Sequence, residues 1–82
     1  MEFPNLQSQL VYQDLKSRYN KATLTKPELA NELTVSLSTI DLYISKGMGI
    51  PPYKKLGNAK NAKVVFNIVD TAIFLSQTIK VA

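Results

Sequence analysis

The chain has 82 residues, enough for one hydrophobic core, and it is 45% hydrophobic and 20% charged, as is typical of a folded globular domain. It contains no cysteine and no histidine, so disulfides, thiolate nucleophiles, histidine bases and the usual zinc ligands are excluded. The six acidic residues are scattered. Glu28 and Glu32 stand four apart on a predicted helix, where we expect a solvated surface rather than a metal site. We therefore expect no enzyme and no cofactor.

Positive charge is concentrated in the second half of the chain. The formal net charge is +4, but residues 1–41 hold four basic and five acidic side chains, and residues 42–82 hold six basic and one acidic. No acidic residue lies between Asp41 and Asp70. The lysines inside that interval are Lys46, Lys54, Lys55, Lys60 and Lys63. A field of one sign attracts polyanions, although on charge alone a solubilising surface is the favoured interpretation.

A first helix is predicted from Asn5 to about Tyr19. Asn5 is a suitable N-cap, because its side-chain oxygen can accept from the free amides of the first turn. Apolar residues at helical spacing form the predicted buried stripe, namely Leu6, Leu10, Val11, Leu15 and Tyr19. Residues 20–23 are predicted to be a connector.

The second helix begins with the strongest start signal in the sequence. Thr25-Lys26-Pro27-Glu28 is a capping box with proline in the first turn, where its missing N–H costs nothing. The predicted buried side is Leu29, Ala30 and Leu33. The helix is predicted to stop near Thr34-Val35.

A third helix is predicted to begin at Ser36, as its N-cap, and to end at Gly47. Its predicted inward face is Ile40, Tyr43 and Ile44. The residues left on or near the outward face are Leu37, Ser38, Thr39, Leu42 and Ser45.

After residues 48–52 the spacing of apolar residues changes from the helical period to a period of two. This pattern predicts a hairpin with strands over 53–56 and 63–66 and a turn over 57–62. Lys54 and Lys63 are predicted to share one exposed side, with Lys60 at the tip. Tyr53, Val64 and Phe66 are predicted to help cover the core. A last helix is predicted from about Val69 to Thr78, with Ala72, Ile73 and Leu75 inward.

This order of elements predicts a mainly α (α+β) fold, a winged helix-turn-helix with a two-stranded β-hairpin wing and an extra N-terminal helix. Residues 1–23 form the predicted helical extension and residues 24–82 the winged domain. The third helix would enter the major groove of DNA and the wing would meet phosphates. The candidate DNA-binding residues are Ser36, Leu37, Ser38, Thr39, Lys46, Lys54, Lys55, Lys60, Asn61 and Lys63.

Two simpler interpretations stay open for these candidates. Ser36 and Thr39 can serve only to start the helix, and for Ser36 capping is the favoured role. The hairpin lysines can serve only to protect an edge strand from aggregation.

Several short motifs follow one another in a fixed order. They are Leu24-Thr25-Lys26-Pro27-Glu28-Leu29-Ala30, Leu33-Thr34-Val35-Ser36, Ser38-Thr39-Ile40, Gly47, Pro51-Pro52, Lys55-Leu56-Gly57, Val65-Phe66 and Asp70. Over about residues 24–76 the chain resembles the excisionase and AlpA-type helix-turn-helix family, within the winged-helix group that includes the MerR regulators. The resemblance implies a winged domain that binds DNA without a cofactor, in proteins of mobile elements that direct excision or regulate transcription. Many members carry a basic or aromatic pair where Asp41 and Leu42 stand here.

The expected partner is double-stranded DNA. The protein is expected to be a cytoplasmic transcription regulator or excisionase-type factor that is associated with the nucleoid when it is bound to DNA. The alternative is a protein-interaction module that uses the winged fold to hold an integrase, a polymerase or another protein, which an exposed Leu42 would suit. Self-association through the N-terminal helix also stays open. Neither a membrane nor a small-molecule ligand is expected.

Overall fold

The computed structural model describes residues 3–57 and 63–77. Within them lie four helices and three strands, in the order α1 (Leu6–Tyr19), β1 (Thr23–Thr25), α2 (Lys26–Leu33), α3 (Leu37–Lys46), β2 (Lys54–Leu56), β3 (Lys63–Asn67) and α4 (Ile68–Ser76). The strands form one antiparallel sheet in the order β1-β3-β2, so the fold is α+β as predicted. In the described segments, no helix has both the length and the apolar character needed to cross a bilayer.

Capping chemistry sets the helix ends where the sequence predicts them. The Asn5 Oδ1 accepts from the Ser8 amide at 2.8 Å. In the capping box the Glu28 amide donates to the Thr25 Oγ1 at 3.4 Å, and the Thr25 amide donates to the Glu28 Oε1 at 2.9 Å. Gly47 ends α3 in the left-handed conformation, with φ 71°. These bonds satisfy backbone groups that have no partner inside a helix.

The sheet has three strands, because Thr23–Thr25 pairs with β3 and adds to the two predicted strands. The prediction of a connector over residues 20–23 is therefore wrong at Thr23. The two predicted strands are present with slightly different bounds, Lys54–Leu56 and Lys63–Asn67. Residues 58–62, most of the predicted turn, lie outside the described residues.

A core of buried apolar side chains joins the helices to the inner face of the sheet. It consists of Leu15, Leu24, Leu29, Ala30, Ile40, Val64, Phe66, Ile68 and Ala72. Each element except β2 contributes, and α1 shares this core through Leu15. α1 packs against α4, α3 packs against α2, and α2 packs against β1 and β3. Full burial of one large apolar side chain contributes about 1.5–3 kcal/mol, so this cluster is the main stabilising feature.

The buried face of α1 differs from the predicted stripe in the first turns. Leu15 is fully buried, but Leu6 is 68% exposed and Leu10 is 55% exposed. Ser8 takes an inward position instead, and its hydroxyl donates to the Asn5 carbonyl at 2.9 Å. Because a helical serine can satisfy its hydroxyl through its own backbone, burial there costs little. Packing against α4, rather than hydrophobic spacing, selects the inward face.

Helix α4 begins at Ile68, one residue before the predicted start, and ends at Ser76. The predicted end at Thr78 falls outside the described residues. Ala72 is buried as predicted, while Ile73 and Leu75 are half-buried.

Glu28 and Glu32 do not form the solvated surface that the sequence predicts, because they bind side chains of the preceding segment. The Glu32 carboxylate, 11% exposed, accepts from both terminal nitrogens of Arg18 at 2.7 and 2.6 Å and from the Tyr19 hydroxyl. Glu28 pairs with Lys21 at 2.7 Å. Hydrogen bonds from Arg18, supported by Tyr19, lower the pKa of Glu32 against the opposing effect of burial. These contacts join α2 to α1.

We predict that Glu32→Gln lowers the free energy of unfolding by about 1 kcal/mol near neutral pH. The effect is small because Arg18 is 45% exposed and solvent screens the ion pair. The pKa of folded Glu32 lies below its ordinary value of 4.5, so its stabilisation is present above that pH and is lost as the pH falls through the folded pKa. Urea unfolding followed by circular dichroism should show wild type and variant converging in acid.

The matched control for this prediction is Asp14→Asn, which removes the other carboxylate that pairs with Arg18. Its side chain is 61% exposed, so we expect a smaller effect on stability at neutral pH. A stability difference between wild type and Glu32→Gln that is the same in acid and at neutral pH would contradict the role given to this carboxylate.

Candidate nucleic-acid interface

Helices α2 and α3 are joined by a tight turn of residues 34–36. Thr34 ends α2 in the left-handed conformation, with φ 59°. The Val35 amide donates to the Ala30 carbonyl at 3.0 Å, and Ser36 is the N-cap of α3. The turn therefore closes one helix and opens the next without an intervening loop.

Two hydroxyls organise the first turn of α3. The Ser36 Oγ accepts from the Thr39 amide at 3.2 Å and lies 2.9 Å from the Thr39 Oγ1, with which it shares a hydrogen bond. Ser36 thus has the capping role favoured from the sequence, and Thr39 is half-buried beside it. Leu37, 45% exposed, and Ser38 face solvent in the same turn.

The exposed face of α3 covers half the helix circumference. At about 100° per residue its members follow one another around the axis in the order Leu37, Asp41, Ser45, Ser38, Leu42 and Lys46. The polar side chains of Asp41, Ser45 and Ser38 occupy the middle. Leu37 and Leu42 lie on either flank, and Ile40 is buried on the opposite side.

The charge of Asp41, which would repel a phosphate, is balanced by a lysine from α2. The Lys26 Nζ lies 2.8 Å from the Asp41 Oδ1. The sequence analysis missed this ion pair, because the partners are 15 residues apart and no local pattern links them. Among the described residues, the other acids that form ion pairs are Asp14, Glu28 and Glu32.

The basic side chains after α2 form no ion pair with any residue in the described ranges. They are Lys46 at the end of α3, Lys54 and Lys55 on β2, and Lys63 on β3, and all four are exposed. The basic residues of the first half differ, since Arg18, Lys21 and Lys26 are all held by carboxylates. Most of the exposed positive charge that no carboxylate holds therefore lies in the second half of the fold, with Lys16 on α1 the exception among the described residues.

The register of β2 and β3 determines which lysines share a face. Lys54 is opposite Val65 and Lys55 is opposite the buried Val64. Because opposed residues share a face and successive residues alternate, Lys54 and Lys63 lie on one side of the ribbon, as predicted. Lys55 lies on the other side. Lys60 and Asn61, the remaining candidates, are outside the described residues.

The loop after α3 folds back over the helix and connects it closely to β2. Gly49 has φ 82°, and a Cβ at this position would be 3.2 Å from the Tyr43 ring. The Met48 amide donates to the Tyr43 carbonyl at 3.3 Å, Ile50 packs against the core and Pro51 is buried. This packing holds the loop that leads from α3 to β2 against Tyr43 and the core.

No protein-family model, curated protein or solved structure matches this chain.

We predict that Ser36→Ala lowers the free energy of unfolding by about 1 kcal/mol, because the Thr39 amide loses its cap. Ser38→Ala is the matched control, since Ser38 is exposed two residues further along and does not cap the helix. Chemical denaturation of the three proteins should place the Ser38 variant near wild type. Equal stability of the Ser36 variant and wild type would rule out a structural role for this hydroxyl.

Proposed function

We propose that this protein binds double-stranded DNA through a winged helix-turn-helix, as a transcription regulator or excisionase-type factor in the cytoplasm. The observation that carries the proposal is the exposed, capped start of α3 combined with a ribbon of lysines that follows α3 in the chain and forms no ion pair within the described residues.

The dimensions and exposure of α3 suit the major groove. Its ten residues make a helix about 15 Å long. The diameter of an α-helix with its side chains is about 10–12 Å, so one helix fits into the major groove of B-form DNA, which is about 12 Å wide. The first turn, Leu37 and Ser38 above all, is exposed. α1 packs on α4, so the N-terminal helix leaves this turn uncovered.

The unpaired lysines suit the phosphate backbone. Lys54 and Lys63 share a face, and neutralising phosphates with such side chains releases counterions and drives binding. β2 is an edge strand, so the same lysines also discourage pairing with another chain. The two roles are compatible, because both need exposed lysines on this ribbon.

The resemblance of residues 24–76 to the excisionase and AlpA-type family supports the same proposal. It favours a site on the DNA of a mobile element and a protein that works without a cofactor. α3 has no arginine, asparagine or glutamine, the side chains that bind a base in bidentate fashion. Affinity is therefore expected to depend strongly on backbone contacts and on the shape of the duplex.

We predict that Lys54→Ala with Lys63→Ala weakens binding to every duplex and reduces the slope of log affinity against log salt by about 2, because two phosphate contacts are lost. Fluorescence anisotropy with a labelled duplex at about 50 and about 200 mM salt measures both effects.

The matched control is Lys16→Ala with Lys21→Ala, which removes the same net charge. Lys16 lies on α1 over the Tyr12 ring and Lys21 pairs with Glu28, so neither residue belongs to β2 or β3. The control should keep the wild-type salt slope. Equal slopes for wild type and the ribbon variant would remove the ribbon from the mechanism.

A second candidate function is a protein-interaction module, favoured by exposed apolar side chains near α3. Leu37 is 45% exposed, Leu42 is 49% exposed and Met48 is 66% exposed. An apolar protein contact hardly changes with salt, whereas phosphate contacts weaken steeply. Absence of salt-dependent binding to any duplex would favour this candidate over DNA binding.

A further inference from the structure

We infer that Leu37 and Leu42 read the 5-methyl group of pyrimidines, so that the preferred duplex carries thymine or 5-methylcytosine where α3 lies. The inference rests on the proposed DNA-binding function and specifies which feature of the base edge the helix recognises. The exposed face of α3 has few hydrogen-bonding groups that are free to meet a base.

Most polar groups of α3 are already bound within the protein. The hydroxyls of Ser36 and Thr39 share one hydrogen bond, and Asp41 is bound to Lys26. The hydroxyls of Ser38 and Ser45 and one O–H of the Ser36–Thr39 pair are left, and such hydroxyls can pair with several different bases. Hydrogen bonds from this face therefore discriminate little between base pairs.

The two exposed leucines supply the discrimination that the hydroxyls lack. In the major groove the thymine methyl group is the apolar feature of a base edge, and it receives apolar side chains. Leu37 and Leu42 lie five residues apart, about 7.5 Å along the helix axis, which matches roughly two base-pair steps of 3.4 Å. Since they flank the helix on opposite sides of Ser38 and Ser45, they can meet methyl groups on both strands.

The same arrangement fits a protein partner less well. An apolar docking site needs a continuous patch, but Asp41, Ser45 and Ser38 separate Leu37 from Leu42 around the helix. Two separated leucine side chains are better suited to contact separate methyl groups. The exposed Lys46 next to Leu42 also favours a polyanion.

The test compares duplexes that differ only in this methyl group. Four 20-base-pair probes suffice: alternating dA–dT, alternating dA–dU, alternating dG–dC, and alternating dG–dC with 5-methylcytosine, the length covering about two helical turns. All carry the same charge. The full-length protein should bind dA–dT about fourfold more tightly than dA–dU for each methyl in contact, and methylation of the cytosines should strengthen binding by a similar factor.

The Leu37→Ala/Leu42→Ala variant should lose both preferences while keeping the wild-type salt slope. Comparing wild type and variant on duplexes with and without the methyl group separates direct methyl contact from an effect of the methyl group on duplex shape. An effect on shape would persist in the variant. The matched control is Leu6→Ala/Leu10→Ala, which removes two exposed leucines from α1 and should keep both preferences. Thermal unfolding confirms that each variant is folded, and the single variants replace the double variant where it is not.

Three results would overturn the inference. Equal wild-type binding to dA–dT and dA–dU, with a steep salt slope, would refute methyl recognition and leave DNA binding intact. If the leucine variant kept the preference for methyl-bearing duplexes, that preference would be due to duplex shape and not to contact with the leucines. Failure to bind any of the four probes at about 50 mM salt would refute the DNA-binding function as well, and would assign the leucines to a protein partner.

Discussion

Strand β3 is hydrogen-bonded along both of its edges, and the placement of the candidate interface follows from that double pairing. β1 aligns Leu24 with Phe66 on one side, and β2 aligns Lys55 with Val64 on the other. A slip of one residue would turn the fully buried Phe66 outward and bring Lys63 toward the core. Because burial of an unpaired lysine is so costly, core packing also fixes the display of charge on the ribbon.

The parts of the fold that short-range chemistry determines could be predicted from the sequence. The caps Asn5, Thr25, Ser36 and Gly47 act within one helical turn, so their signals stand beside the helices that they delimit. The period of two in the ribbon likewise predicted that Lys54 and Lys63 share one face. The parts that depend on distant partners could not be predicted. Thr23–Thr25 is a strand only because β3 lies beside it, and α4 decides which side of α1 is inward.

The separation of charge was predicted only in outline. Counting residues showed an excess of lysine after Asp41, but it did not show that Asp41 itself is held by Lys26 or that Glu32 is held by Arg18. The turn at Thr34 had no glycine to mark it, and it was located only through the caps on each side. A β-branched residue with φ 59° is uncommon, and here the amides of Thr34 and Val35 donate to carbonyls in the last turn of α2, which offsets the local cost.

The shared hydrogen bond between Ser36 and Thr39 leaves one proton unassigned. Either oxygen can be the donor. If Thr39 donates, the Ser36 proton is free, and if Ser36 donates, the Thr39 proton is free. In both arrangements the entrance of α3 retains a single O–H for an acceptor outside the protein, and reversing the pair moves that donor from one side chain to the other without moving a heavy atom. The start of α3 can thus move its free donor between two side chains while its cap stays in place.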